Sequence, residues 1–284
     1  MTLVVEAAPA KLNLALHVRA RRPDGYHDIE TLFVFCRDGD VVTVADSAAD
    51  SFAITGPFAA ALGGQPASER QPQADGDNLV VRALHAFCAA FDIAQPHAVT
   101  LEKNLPVASG IGGGSADAAA TLRALARRHG IAVDEPQLFA IAATLGADVP
   151  ACLVGRPSFG TGRGDALVDV TGWCDTPVLL VNPGVAVSTG AVFAAWDGVD
   201  RGALDPADPL AGRNDLEPPA RRLAPVIEDA VALLAAQPGA RSARMSGSGA
   251  TCFALFADSA GRDAADAAVA RARPAWWRLA TALA

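Results

Sequence analysis

"NLPVASGIGGGSADAAATLRALARRHG", residues 104–130, decides the reading of this chain. Four glycines lie between Ser109 and Ser115, and they run straight into an alanine-rich segment with helical spacing. Glycine permits positive φ and lets backbone approach a ligand closely. A helix N-terminus presents unpaired N–H groups and a partial positive charge. Together they predict an anion cradle, most often for phosphate. The glycines are denser than a tight helix packing requires. The loop is not a Walker A loop, because no lysine follows its last glycine. It is also a poor dinucleotide fingerprint: Ser115 stands where that fingerprint wants glycine, and the loop follows several strands and a helix rather than opening a first βα unit. A dinucleotide-dependent oxidoreductase is therefore disfavoured. Asp117, in the first helical turn, would oppose a phosphate unless its side chain points away.

Working outward, "AVTLEKNL" before the loop reads as a strand, and Gly130 as the stop of the helix after it. Upstream, the alternation of Leu12, Leu14, Leu16 and Val18 is strand-like, "RRPDGYHD" carries turn chemistry, and "IETLFVFC" and "DVVTVAD" read as two further strands of a meander. Residues 56–77 read as surface loop. "NLVVRALHAFCAAFDI" has helical spacing, with Asp77 or Asn78 as N-cap. Downstream, "DEPQLFAIAATLG" predicts a helix capped by Asp134, and "GADVPACLVG" a turn into a strand. The Gly/Pro/Arg-rich "RPSFGTGRGD" marks the domain boundary. Beyond it come a strand in "TPVLLVNPG", helices in "STGAVFAAW" and "APVIEDAVALLAAQPGA", a strand–turn–strand in "SARMSGSGATCFALFAD", and a last helix in "GRDAADAAVARARP". Strands and helices mix without a βαβαβ rhythm, which predicts an α+β fold in two domains, 1–160 and 161–284.

Composition narrows the function classes. The 284 residues are 51% hydrophobic, enough for a sizeable core, and the net charge is −8 without long basic runs. That disfavours nucleic acid as a partner. No stretch reaches the roughly 20 apolar residues of a spanning helix, and the N-terminal segment lacks the basic start of a signal peptide, so no membrane partner is expected. Five scattered cysteines without a CxxC suit a reducing cytoplasm. The five histidines form no metal-ligand pair, and no Gly-x-Ser-x-Gly elbow occurs. Among 23 basic residues only Lys11 and Lys103 are lysine. Where composition presses so hard toward arginine, a retained lysine is one whose compact charge matters. Tyr26, the only tyrosine, offers an aromatic face with a polar tip suited to stacking on a base. Ser115 could cap the helix or reach a metal. Gly247, Ser248 and Gly249 form a hairpin small enough for backbone to reach a ligand. Trp276 and Trp277 read as core or interface.

Read with four other segments, the loop resembles the GHMP kinase superfamily. That family's second motif matches Pro106, Val107, Ala108, Ser109, Gly110, Ile111, Gly112, Gly113, Gly114, Ser115 and Ala116, with departures at Ala108, where glycine is usual, and Ile111, where leucine is. "PAKLNLALHV" and "RMSGSGATCFALF" fit its first and third motifs. "DGYHDIETLF" and "GADVPACLVG" narrow the likeness to the branch of the non-mevalonate isoprenoid route, and the matches run from Pro9 to Phe256.

The resemblance implies an N-terminal domain like ribosomal S5 domain 2, a ferredoxin-like C-terminal domain, and an active site in the cleft between them. It implies ATP on residues 106–116, Mg²⁺ near the phosphates with help from Ser115, and a cytidine-diphospho-methylerythritol as small-molecule substrate. It implies Asp148 as general base and Lys11 beside the reacting hydroxyl. Asn13 would contact the substrate near Lys11, Tyr26 and Phe193 would sandwich the cytosine, His27 would bond its edge, and Gly247, Ser248 and Gly249 would lie near the diphosphate. "GRNDLEPPA" also resembles a family segment, without a role. A monomer or weak homodimer is expected. The alternatives are another GHMP kinase, for a sugar or homoserine, and an ATP-binding sensor without turnover; the DGYH segment argues against the first, and the presence of both Lys11 and Asp148 against the second.

Overall fold

The computed structural model describes residues 3–63 and 78–284, so Asp77 and residues 64–77 of the expected loop lie outside the described residues. The chain divides into two compact units. One comprises Met1–Ala10, Asp38–Val107 and Gly112–Gly155; the other comprises Lys11–Arg37, Ala108–Ile111 and Arg156–Ala284. Two long strands, β1 (Val4–Arg21) and β2 (His27–Asp46), are paired and contribute residues to both units.

In the first unit, β2 residues 41–46 pair antiparallel with β4 (His97–Glu102), which pairs parallel with β3 (Ser51–Thr55). A 3₁₀ turn follows at Ala59–Leu62. Among the described residues the unit also holds α1 (Leu79–Ala90), α2 (Gly113–Arg128), α3 (Pro136–Leu145) and α4 (Val149–Val154). Asn78 caps α1 by accepting the Val80 N–H at 2.9 Å. The alanines of α2 explain themselves by burial. Ala116, Ala118, Ala119, Ala120, Ala124 and Ala126 are at most 1% exposed, because α2 packs on α1, α3 and α4 and only small side chains let helices approach so closely. Gly130, at φ 67°, follows the last turn as expected of a stop.

In the second unit, β2 residues 31–33 pair with β5 (Ser158–Thr161), which forms a hairpin with β6 (Ala166–Asp169). An antiparallel four-stranded sheet has the order β10 (Trp277–Ala282), β7 (Pro177–Asn182), β9 (Cys252–Phe256), β8 (Ala240–Met245). Helices α7 (Val226–Ala235) and α8 (Ser259–Ala272) pack on that sheet, and α5 (Thr189–Ala194) and α6 (Glu217–Leu223) join it through a core that includes Leu16, Val18, Ile29, Leu179, Val192 and Leu216. Sheet and helices in this proportion make the α+β class expected from the sequence.

Three expectations are corrected. The meander's two strands, 29–36 and 40–46, are one 20-residue strand, β2. The polar residues between the two apolar runs interrupt the alternation that marks a strand, but Asp40 is buried and accepts the backbone N–H groups of Asn104 and Leu105, so the chain runs straight through. "VPACLV" is the helix α4 rather than a strand: a short apolar run carries no period that separates the two, and Pro150 suits a first helical turn. Helix α3 begins at Pro136 with Glu135 in the cap position and no side-chain cap, so Asp134 does not cap it. Of the cysteines, Cys36, Cys152 and Cys252 are buried as expected, Cys88 is half-buried and Cys174 exposed.

Candidate active site

Each unit holds its own cluster of the residues singled out above. In the first, the glycine loop enters α2 with Gly112 in the cap position at φ 65°. Ser115 is therefore not the cap; it stands within the first turn, half-buried, and Gly114 is exposed beside it. No acidic side chain occupies that first turn. Asp117 turns inward instead, 2% exposed, with Oδ2 2.6 Å from Lys103 Nζ. Lys103 also donates to Asp40 Oδ2 at 2.5 Å. A Cβ added to Gly113 would lie 3.0 Å from Lys103 Nζ, so the ammonium sits directly beneath the start of α2. Burial pushes the Asp117 carboxyl up to about 8; Lys103 pulls it down and Asp40 adds to the rise. Its Oδ1 is buried without a hydrogen-bond partner. Asp117 thus keeps its carboxyl on Lys103 rather than at the open start of α2. The same unit carries Pro106 and Val107, half-buried, with buried Ala116, and Asp148 in the cap position of α4, half-buried, its side chain making no capping bond.

In the second unit, Ala108–Ile111 crosses beside the Gly247–Gly249 hairpin. Gly110, at φ 76°, could carry no side chain: a Cβ there would lie 2.6 Å from Gly249 N and from Ser246 O. Ser109 is buried and its carbonyl accepts the Thr251 N–H at 3.0 Å. Ala108, one of the two departures from the family motif, takes φ 51°. Lys11 is 3% exposed because β1 is covered on both faces from Ala10 to Val18. A buried charge needs partners: Lys11 Nζ donates to Asn13 Oδ1 at 2.9 Å and lies 5.2 Å from the centre of the Phe33 ring. Asn13 Nδ2 donates to Thr31 Oγ1, which donates to Ala15 O. The backbone N–H of Lys11 donates to Ile111 O, and that of Asn13 to Ser246 Oγ, which donates to Gly110 O. Three of the motifs therefore meet through hydrogen bonds within this unit: Lys11 and Asn13, residues 109–111, and residues 245–251.

The same unit gathers the aromatic residues. His27 lies 4.9 Å from Phe193 and 5.7 Å from Trp196, centre to centre. Tyr26 is 52% exposed with the Arg163 guanidinium 5.1 Å over its ring. Burial, then the nearby Arg21 charge, lowers the His27 pKa, so the imidazole is neutral at pH 7. Its Nε2 is buried without a partner, a polar atom ready for a ligand's edge. Sequence reasoning missed Asp40, Ser246 and Arg163. Lys103 was visible as one of two lysines, but its partners lie far along the chain.

Residues 78–156 match the GHMP kinases N terminal domain, and residues 198–275 the GHMP kinases C terminal family. The chain is 58% identical over 284 residues to a Rhizorhabdus wittichii protein named 4-diphosphocytidyl-2-C-methyl-D-erythritol kinase, a match covering 98% of this chain and 94% of that one. The chain belongs to the GHMP kinases. A Novosphingobium aromaticivorans protein of the same name is 49% identical over 98% of this chain and 92% of its own length. Among solved structures, one described as 4-(cytidine 5'-diphospho)-2C-methyl-D-erythritol kinase aligns over 98% of both chains with TM-score 0.79 and 33% identity. A homoserine kinase from Cytophaga hutchinsonii covers 100% of this chain and 95% of its own with TM-score 0.72, but at 18% identity that likeness is one of fold. As a GHMP kinase, the chain is an ATP-dependent kinase acting on a small molecule. Among the described residues no helix is long and apolar enough to cross a membrane.

Proposed function

We propose that this GHMP kinase transfers the γ-phosphoryl group of ATP to the 2-hydroxyl of 4-diphosphocytidyl-2-C-methyl-D-erythritol, a step of the non-mevalonate isoprenoid route. The observation that carries this reading is the 58% identity, over 98% of this chain, to a kinase of that name. Residues 106–116 receive the ATP phosphates. The fit rests on the left-handed backbone at Gly110 and Gly112 and on a first helical turn free of acidic side chains. Among the described residues no three His, Cys, Asp or Glu side chains gather to hold a metal. Mg²⁺ needs few protein ligands when phosphate oxygens are present; the Ser115 hydroxyl would help hold it, and it would supply charge neutralisation.

In the transfer, the acceptor oxygen bonds to the γ-phosphorus as the bond to the β–γ bridging oxygen breaks and ADP leaves. Asp148 takes the hydroxyl proton, a role typically worth about 10²–10⁴-fold. Lys11, held by Asn13, supports the charge that develops. Phosphoryl transfer otherwise depends on positioning. Tyr26 and Phe193 flank the cytosine, the neutral His27 bonds its edge through the unpartnered Nε2, and Asn13 with Gly247, Ser248 and Gly249 holds the rest of the acceptor. The division at 1–160 and 161–284, a cytoplasmic location and a monomer or weak homodimer belong to the same proposal.

The test is ADP release by the purified chain. It should require both ATP and the cytidine-diphospho alcohol. Asp148→Asn and Lys11→Met should each lose about tenfold or more in turnover while still binding ATP. Turnover on homoserine or a sugar in place of the alcohol would end the reading of the acceptor; near-normal turnover in either variant would end that residue's role.

A further inference from the structure

The Arg213–Asn214–Asp215 segment has no part in the reaction as described. Asn214 is 6% exposed, and its side chain is fully engaged. Its Nδ2 donates to the carbonyls of Met245 at 2.9 Å and Gly247 at 2.8 Å, and its Oδ1 accepts the Leu216 N–H at 3.0 Å. A primary amide is the short neutral side chain that offers two N–H donors from one atom. The segment itself is anchored on both sides. Leu16 N–H donates to Arg213 O at 2.8 Å and Asp215 N–H donates to Leu16 O at 2.9 Å. Asp215 Oδ2 accepts the Val18 N–H at 2.8 Å. Asn214 therefore reaches the hairpin from a fixed base on β1.

The consequence lies in peptide geometry. In a planar trans peptide the C=O and N–H point in opposite directions. Holding the Gly247 carbonyl on Asn214 turns the next N–H, that of Ser248, the other way. Turning the Gly247–Ser248 peptide over rotates ψ of Gly247 and φ of Ser248, and glycine, at φ 54° here, admits a wider range of ψ than any other residue. The reversed peptide would present a carbonyl where the present one offers an N–H. Toward an anionic diphosphate the first repels and the second attracts.

We propose that Asn214 is a positioning residue for the acceptor: it clamps the Met245 and Gly247 carbonyls so that the Ser248 N–H faces the acceptor's diphosphate. This rests on the acceptor site proposed above.

Asn214→Asp keeps the shape and sets carboxylate oxygen against two carbonyls; Asn214→Ser keeps one donor. The expected result is a KM for the cytidine-diphospho alcohol raised about tenfold or more in the Asp variant and less in the Ser variant, with the KM for ATP within about threefold. An unchanged acceptor KM, a parallel rise in both KM values, or loss of folding in both variants would overturn the proposal, since each assigns Asn214 to the fold alone. A crystal structure of the Asp variant separates this from the reading of the acceptor. A turned Gly247–Ser248 peptide supports the clamp whatever the wild-type enzyme phosphorylates, and an unturned one overturns it.

Discussion

Ala108 shows how a single residue departs from a family pattern at a cost. Its φ of 51° is a conformation that L side chains resist by about 1–2 kcal/mol. Glycine takes it without strain but loses roughly 0.4–1 kcal/mol through the freer unfolded chain. Ala108→Gly should therefore stabilise the protein by a few tenths to about 1 kcal/mol in urea unfolding; a destabilised variant would contradict the assigned strain. Lys103 makes a larger case. Its ammonium is the positive member of a buried triad with Asp40 and Asp117. Lys103→Met removes the ammonium that Asp40 and Asp117 share, leaves their buried oxygens without that donor, and should cost about 3–5 kcal/mol. A loss below 1 kcal/mol in the same unfolding measurement would mean that water or protonation relieves the pair. At this scale the residue type was legible: the scarcity of lysine singled out both Lys11 and Lys103. The partners were not, because Asp40 precedes Lys103 by 63 positions and nothing local in sequence ties them.

At the scale of elements, β4 and α2 are joined where His97 meets His129, Nε2 to Nε2 at 3.0 Å. That contact needs one donor and one acceptor, so both rings cannot be charged. Burial, before any charge effect, lowers the pKa of each, and each cation opposes the other or the nearby Arg128. Asp46 and Asp50 face the pair and only partly offset this. A folded-state pKa below the unfolded one means the unfolded chain binds more protons. Stability is thus complete above the ordinary histidine value near 6.5 and is lost as pH falls toward the lowered values. Thermal melts from pH 7.5 to 5 should show this loss, and His129→Gln should shrink its slope; an unchanged slope would assign it to other groups. Long elements with caps or a clear period were readable, as α1, α2, α7 and α8 show. β2 and α4 were not. In β2 the polar Asp40, which interrupts the apolar run, serves a distant backbone, and in α4 six apolar residues are too few to display a period.

For the whole molecule, ligand linkage gives the broadest test. ATP at about a hundredfold its Kd should stabilise the native chain by about 2.7 kcal/mol. For a chain of this size that is a rise of several degrees in Tm, and Gly112→Val, which forces a branched side chain into φ 65°, should abolish it. A wild-type melting curve indifferent to ATP would remove the nucleotide from the loop. The kinase class and the glycine loop leading into α2 were in the sequence, because glycine spacing, a helix start and short motifs are local chemistry that survives without neighbours. The α+β class followed from the mixed order of strand and helix signals. Tertiary structure alone decided that chain segments interleave between the two units, that Asp117 turns away from the loop it borders, and that Asn214 holds a hairpin some thirty residues further on. Those outcomes depend on which distant groups share a buried environment, and burial is a property of the assembled fold rather than of any stretch of chain.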